Sequence, residues 1–208
     1  MKRIGVTQRV EVVASYGERR DCLDQQWGGL LKQLGFLLVP VPNGLSEPGA
    51  WLEVMGLDGF ILSGGNDLAH LPDASRPAPE RDATETAILD YAKHRQMPVL
   101  GVCRGLQMMN VYLGGSLVPV EGHVATRHSV TPVAGESLFS AYSEVNSFHD
   151  WGIAPEGLAE TLSPGVRCQD GTIEAARHTS LPWASVMWHP ERESPFLKAD
   201  LELLQTIF

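Results

Sequence analysis

The sequence predicts an α/β fold, a three-layer sandwich with a mostly parallel sheet between two helical layers. Three observations carry that reading. Short runs rich in Ile, Val and Leu alternate with segments of helical apolar spacing, the pattern of strands buried on both faces and joined by helices. Two of the runs end in glycine-rich turns, "SGGND" after Leu62 and "GVCRG" around Cys103, as strands feeding loops at one sheet edge do. The chain has 208 residues, 43% of them hydrophobic, which suits one core, and residues 1–208 are read as a single domain.

The elements follow in chain order. Ile4 to Thr7 is the first strand, and a helix is expected near Asp21 to Leu34, where Cys22, Trp27, Leu30, Leu31 and Leu34 fall roughly on one face. Phe36 to Val41 is the next strand, closed by Pro40, Pro42, Asn43 and Gly44. A short helix around Ala50 to Met55 leads to the strand Gly59 to Leu62. Residues 70 to 82 hold three prolines and read as a loop. Asp82 and Thr84 are candidate caps for a helix through about Arg95, with Ile88, Leu89 and Tyr91 on its buried side. Met97 to Val102 is a further buried strand, and Leu106, Met109, Asn110 and Leu113 mark a helix stopped by Gly114-Gly115. From Ser116 to Pro190 the periodicity fades into short strands at "GSLVPV", "ARHSVTPV", "TIEAARHT" and "WASVMWHP". An amphipathic helix, "FLKADLELLQTIF", closes the chain. Trp27, Trp151, Trp183 and Trp188 read as core rather than ligand platforms.

Composition excludes several classes. A net charge of −9 argues against nucleic-acid or anionic-membrane partners, whose binding draws on clustered Lys and Arg. The one dense basic spot, Arg19-Arg20, is flanked by Glu18 and Asp21 and reads as a solvated turn. The N-terminus lacks the apolar stretch of a signal peptide, and no run reaches the roughly 18 apolar residues of a membrane span. Three cysteines, Cys22, Cys103 and Cys168, cannot all pair, and no CxxC or Cys/His cluster has zinc spacing. A cytoplasmic protein with free thiols, and with no metal or organic cofactor, is the expectation.

The stretch "GVCRGLQMMN" carries the chemistry. A thiol attacks as thiolate, and the start of a helix favours the anion through its free N–H groups. A sharp strand-to-helix elbow at Cys103 needs Gly101 and Gly105 because side chains there would obstruct the close approach of strand and helix. Alone, this pattern reads equally well as a buried structural cysteine between glycines. "VMWHPERE" supplies His189 and Glu191, which an extended backbone would project to one face. Their roles would be base and orienting acid. Alone again, His189 reads as a hydrogen-bonded histidine near a proline turn. The backbone N–H of Arg104 and the turn at Gly64-Gly65 are candidate donors to an oxyanion. The Arg104 side chain meets a carboxylate or lies exposed on the helix's first turn.

Taken together, "GFILSGGNDL", "GVCRGLQMMN", "VNSFHDWGI" and "VMWHPE", in that order, resemble the class I glutamine amidotransferase-like superfamily, in particular its γ-glutamyl hydrolase (peptidase C26) branch. The resemblance spans nearly the whole chain and implies a flavodoxin-like sandwich. It implies a catalytic triad of Cys103, His189 and Glu191, with the backbone amides of Gly65 and Arg104 as the oxyanion hole. It also implies that Gly64, Gln107 and the segment Ser147, Phe148 and His149 line the pocket for a γ-glutamyl group. For His149, packing beside Trp151 is the alternative.

The expected reaction is hydrolysis of a γ-glutamyl amide to glutamate and an amine. "GVTQRVEVVASYGERRDCLDQQW" further resembles the γ-glutamyl-CDP-amidate hydrolases of bacterial surface-polysaccharide phosphoramidate pathways. The residues that carry this, Arg9, Tyr16, Glu18, Arg19 and Arg20, read equally as loop and cap residues. Two rivals stay open: a glutaminase subunit feeding ammonia to a partner synthetase, and a non-catalytic scaffold on the same fold.

Overall fold

The computed structural model describes residues 1–208. Strand β1 (Arg3–Thr7) buries Ile4 and Val6 completely. A hairpin follows, β2 (Arg9–Val12) with β3 (Arg19–Cys22), where the sequence led us to expect the beginning of a helix. Asp21 explains the difference. Its carboxylate accepts hydrogen bonds from the Asn43 backbone N–H at 2.8 Å and from Asn43 Nδ2 at 2.7 Å, which holds this segment extended. Helix α1 (Gln26–Gln33) starts later, where Asp24 takes the N–H of Gln26 at 3.0 Å.

Next come β4 (Leu37–Val41), α2 (Pro48–Met55), β5 (Gly59–Leu62) and α3 (Pro79–Arg95). Helix α3 begins before the expected caps, with Pro79 in its first turn, a position that needs no N–H partner. Asp82 and Thr84 do not cap it. Asp82 accepts from the Ala69 N–H at 2.9 Å, and the Thr84 hydroxyl donates to the Glu80 carbonyl at 2.9 Å. Strand β6 (Val99–Val102) then runs into α4 (Arg104–Tyr112).

The second half is mostly strand: β7 (Val118–Pro119), β8 (Val124–Pro132), β9 (Glu144–Phe148), β10 (Trp151–Gly152), β11 (Leu162–Cys168), β12 (Ile173–His178) and β13 (Trp183–Val186). Helix α5 (Lys198–Ile207) closes the chain.

Nine strands form one sheet in the order β4-β1-β5-β6-β13-β12-β11-β8-β9. From β4 to β13 the pairing is parallel, and beyond β13 it is antiparallel. Leu52, Ile88, Leu89, Leu106 and Met109 of α2, α3 and α4 pack with Phe60 and Leu62 on one face. Trp27, Leu30 and Leu31 of α1 and Leu203 and Leu204 of α5 pack with Ile4, Val6 and Ile61 on the other. Successive strand residues thus serve opposite layers, as the pleat requires, and the sandwich has three layers. No helix is long and apolar enough to cross a membrane.

Register decides where chemistry can happen. Leu62 of β5 lies opposite Gly101 of β6, and Val102 lies opposite Val186 of β13. The three strands therefore end together, and Ser63, Cys103 and the segment from Met187 leave the sheet at one edge. In open parallel sheets the crevice outside the carboxyl ends is where ligands bind.

Candidate active site

Cys103 joins β6 to α4 with φ 52° and ψ −106°, a conformation that non-glycine residues rarely hold. Such a backbone costs on the order of 1–3 kcal/mol and persists only where its surroundings impose it. Here the Cys103 N–H donates to the Val186 carbonyl at 2.8 Å, locking the elbow to β13. A Cβ at Gly101 would stand 2.7 Å from the Gly105 carbonyl, and one at Gly105 would collide with the Leu62 carbonyl. Both glycines are thus steric conditions of the turn.

His189 follows β13 with extended backbone, φ −112° and ψ 92°. Asn146 of β9 holds it from both sides: its Oδ1 accepts the His189 N–H at 2.8 Å and its Nδ2 donates to the His189 carbonyl at 2.9 Å. The imidazole Nδ1 is 2.7 Å from Glu191 Oε1, with both residues 2% exposed. Glu191 reaches it from a one-turn helix at Pro190–Arg192, not from the extended chain the sequence suggested. Phe148 and the His189 ring meet edge-to-face, and the Arg192 guanidinium lies over the Phe148 ring. Burial alone would lower the His189 pKa, but Cys103 and then Glu191 outweigh it and raise it to about 9.

The glycine turn after β5 is shaped by a residue that sequence reading missed. Arg81 of α3, fully buried, donates to the carbonyls of Ser63 at 2.5 Å, Gly64 at 3.1 Å and Gly65 at 2.6 Å. With three successive carbonyls drawn toward α3, the left-handed turn at Gly65 (φ 86°) is fixed. Gly64 must lack a side chain, since a Cβ there would stand 2.5 Å from His189 Cε1. Arg81 Nε pairs with Glu85 at 2.9 Å, and Glu85 also accepts from the Thr7 hydroxyl at 2.7 Å and from the Arg104 guanidinium. Burial would push the Glu85 carboxyl up, but Arg104 and Arg81 together hold it below the ordinary glutamate value. Burial takes Arg81 down to about 10.

That network places Arg104. Its side chain is 1% exposed and meets the protein's own carboxylates, Glu85 and Asp82, so the exposed alternative does not hold. Its backbone N–H heads α4, among the first-turn amides without an intrahelical partner.

A cavity of about 140 Å³ opens beside Cys103, with Gly65, Gln107, Phe148 and His149 in its walls. Gln107 Nε2 donates to the Trp151 carbonyl at 2.9 Å, and His149 Nδ1 lies 3.0 Å from the same oxygen. Burial drives the His149 pKa down to about 4, against the pull of Glu174. Ser147 is turned away: fully buried, its hydroxyl donates to the His123 carbonyl at 2.6 Å and does not line the cavity. Trp151 is only half-buried and lines the cavity, while Trp27, Trp183 and Trp188 are core residues.

Of the five charged and polar positions near the N-terminus, one reaches the site. Arg20 bonds to Glu18 and Tyr16 within the exposed hairpin, and Arg19 pairs across to Glu80 of α3. Arg9 instead lays its side chain over Gly65, whose Cβ would meet Arg9 Cδ at 3.3 Å. Arg81 and Glu85 stand four apart on one helix, the only sequence signal they give. Asn146 lies inside "VNSFH" but carries no signal of its own.

A hydrolase on an α/β sandwich is the class this arrangement defines. The Peptidase C26 family matches residues 3–191, and the chain belongs to that family. It is similar to the γ-glutamyl-CDP-amidate hydrolase of Campylobacter jejuni, at 35% identity over 92% of this chain and 90% of that protein. Similarity to the γ-glutamyl-γ-aminobutyrate hydrolase of Escherichia coli O157:H7 is 31% over 86% of this chain and 82% of that protein. A glutamine amidotransferase structure from Thermotoga maritima shares the fold, with a TM-score of 0.69 at 15% identity over 99% of this chain and 83% of that one.

Proposed function

We propose that the protein hydrolyses a γ-glutamyl amide through a thioester on Cys103. The observation that carries this is the elbow cysteine with its imidazole partner, itself 2.7 Å from a buried carboxylate. His189 takes the Cys103 proton, and the sulfur attacks the γ-carbonyl carbon. The oxyanion that forms rests on the amides of Gly65 and Arg104, which Arg81, Glu85 and Arg104 hold in place. The C–N bond then breaks, the leaving nitrogen takes the proton from His189, and a glutamyl thioester remains. A water molecule gives a proton to His189, attacks the thioester and releases glutamate, and the thiol reforms. Glu191 keeps the imidazole in the tautomer these transfers need.

The leaving group is anionic in this reading. In a chain of net charge −9, Arg76 stands in the wall of the cavity beside Cys103, which also holds Asp67 and Asp150, and Arg9 lies over Gly65 at its edge. The C. jejuni relative's named substrate, γ-glutamyl-CDP-amidate, fits that charge. The test is glutamate release, with no partner present, from γ-glutamyl-CDP-amidate, γ-glutamyl-γ-aminobutyrate and glutamine. The expected order of kcat/KM is as written. Arg9→Ala and Arg76→Ala should raise KM for the two anionic substrates and leave glutamine unchanged. Turnover of glutamine alone, and only with a synthetase added, would replace this reading with the glutaminase-subunit one.

A further inference from the structure

Behind the cavity wall opposite the elbow, the antiparallel half of the sheet gathers three histidines and a glutamate. His123 precedes β8, His128 lies on β8, His149 on the β9–β10 turn and Glu174 on β12. His123 and His149 are each 4% exposed and Glu174 is fully buried. Five polar atoms here are buried without a hydrogen-bond partner: His123 Nδ1, His128 Nε2, His149 Nε2 and both oxygens of Glu174. All five face one another. His123 Nδ1 and His149 Nε2 each stand 3.7 Å from Glu174 Oε1, and His128 Nε2 stands 3.4 Å from Oε2.

The opposite ring nitrogens are all engaged. His123 Nε2 is 2.9 Å from Asp170 Oδ2, His149 Nδ1 is 3.0 Å from the Trp151 carbonyl and His128 Nδ1 is 3.3 Å from Cys168 Sγ. Outer nitrogens donating to a carboxylate or carbonyl, with inner lone pairs converging, is the arrangement that orients metal-ligating histidines. We propose that this cluster binds one divalent ion of the zinc class. His123 Nδ1, His149 Nε2 and Glu174 Oε1 are the ligands, and His128 Nε2 anchors the second carboxylate oxygen.

Spacing and chemistry agree. Bonds of about 2.0–2.1 Å to a tetrahedral centre set ligand atoms about 3.3–3.4 Å apart; the two nitrogen–oxygen gaps of 3.7 Å close by a few tenths of an ångström, and the three ligand atoms all lie within 4.8 Å of one another. Two imidazoles and one carboxylate suit zinc, cobalt or iron(II) rather than magnesium or calcium, which prefer all-oxygen shells. A buried polar atom left unpaired costs about 1–3 kcal/mol, and an ion here would satisfy three of the five at once. The ligands are scattered along the chain from residue 123 to residue 174, so no metal-binding spacing marks them in the sequence. Because His149 also forms the cavity wall, the ion would brace the Phe148 to Trp151 turn.

The test uses the full chain without a histidine tag, stripped with chelator, in a Cys103→Ser background so that the catalytic thiol takes up no metal. Titration with Co²⁺ should fill one equivalent at micromolar concentration. The visible spectrum should show tetrahedral d–d bands without a sulfur charge-transfer band. His123→Asn and Glu174→Gln, checked for folding by circular dichroism, should each lose the bound equivalent. If either variant fails to fold, imidazole NMR of the Cys103→Ser chain replaces it, and the His123 and His149 resonances should shift on saturation with Zn²⁺. No stoichiometric uptake by the folded chain, uptake that persists in folded variants, or Zn²⁺ saturation that leaves those resonances in place would overturn the site.

Discussion

Two buried polar clusters flank the cavity, and they are built in opposite ways. On the elbow side, Arg81, Glu85 and Arg104 are closed on one another, on Thr7 and on the carbonyls of the glycine turn. On the far side, His123, His128, His149 and Glu174 present five unpartnered atoms to a common centre. The closed cluster is scaffold: it ties α3 and α4 to the glycine turn after β5, and of its side-chain atoms only Arg104 Nε has no partner. The open one carries the proposed metal site, where an ion would pair buried polar atoms whose isolation is a free-energy cost.

Substitution should separate the two clusters sharply. Glu85→Gln takes from buried Arg81 its only carboxylate and from Arg104 one of two, and we expect a loss of about 3–5 kcal/mol in denaturant unfolding. In the metal-free protein Glu174→Gln breaks no hydrogen bond, so its change should stay within about 1 kcal/mol. Equal losses for the two would erase the distinction.

A third buried carboxylate, Asp200, lies between the extremes. Its Oδ1 accepts from the Tyr142 hydroxyl at 2.8 Å and from Trp188 Nε1 at 3.0 Å, while Oδ2 has no partner. Burial raises its pKa to about 6. The folded protein thus holds this proton more tightly than the unfolded chain, and stability falls as pH rises from about 4 through about 6. Asp200→Asn keeps the acceptor and removes the charge, so it should raise Tm at pH 8 by a few degrees and change little at pH 4.

The smallest effect is a shift of pH profile. His189, held at about 9, contributes stability that is complete below about 6.5 and is lost as pH rises through 9. The alkaline limb of kcat should fall near the same pH, since a neutral imidazole cannot protonate the leaving nitrogen. Glu191→Gln removes one of the groups that raise this pKa, so the limb should move to lower pH.

The same contrast sorts what sequence reading could and could not recover. Continuous apolar runs located β1, β4, β5 and β6: β1, β5 and β6 are buried on both faces, and β4, at the sheet's edge, still buries Val39 and Val41. The β2–β3 hairpin escaped, since Arg19, Arg20 and Asp21 are exposed and polar and lie directly against the helical spacing of α1. Strand β11 escaped too, its pattern interrupted at Pro164 and Gly165, where the register with β12 shifts. Cys103, His189 and Glu191 stood out because an elbow and a two-residue spacing are local signals. Arg81, Glu85, Asn146 and the histidine cluster act across the fold, through partners far away in the chain, and no local pattern announces them.

The central claim is that the γ-glutamyl group passes through Cys103. Mass spectrometry of the protein quenched in acid during steady-state turnover of a γ-glutamyl substrate tests it directly. We expect a fraction of the chain to carry one added glutamyl residue, mapping to the peptide that contains Cys103, and both adduct and turnover to vanish in Cys103→Ala. Turnover that survives in Cys103→Ala, or an adduct on another residue, would contradict the account.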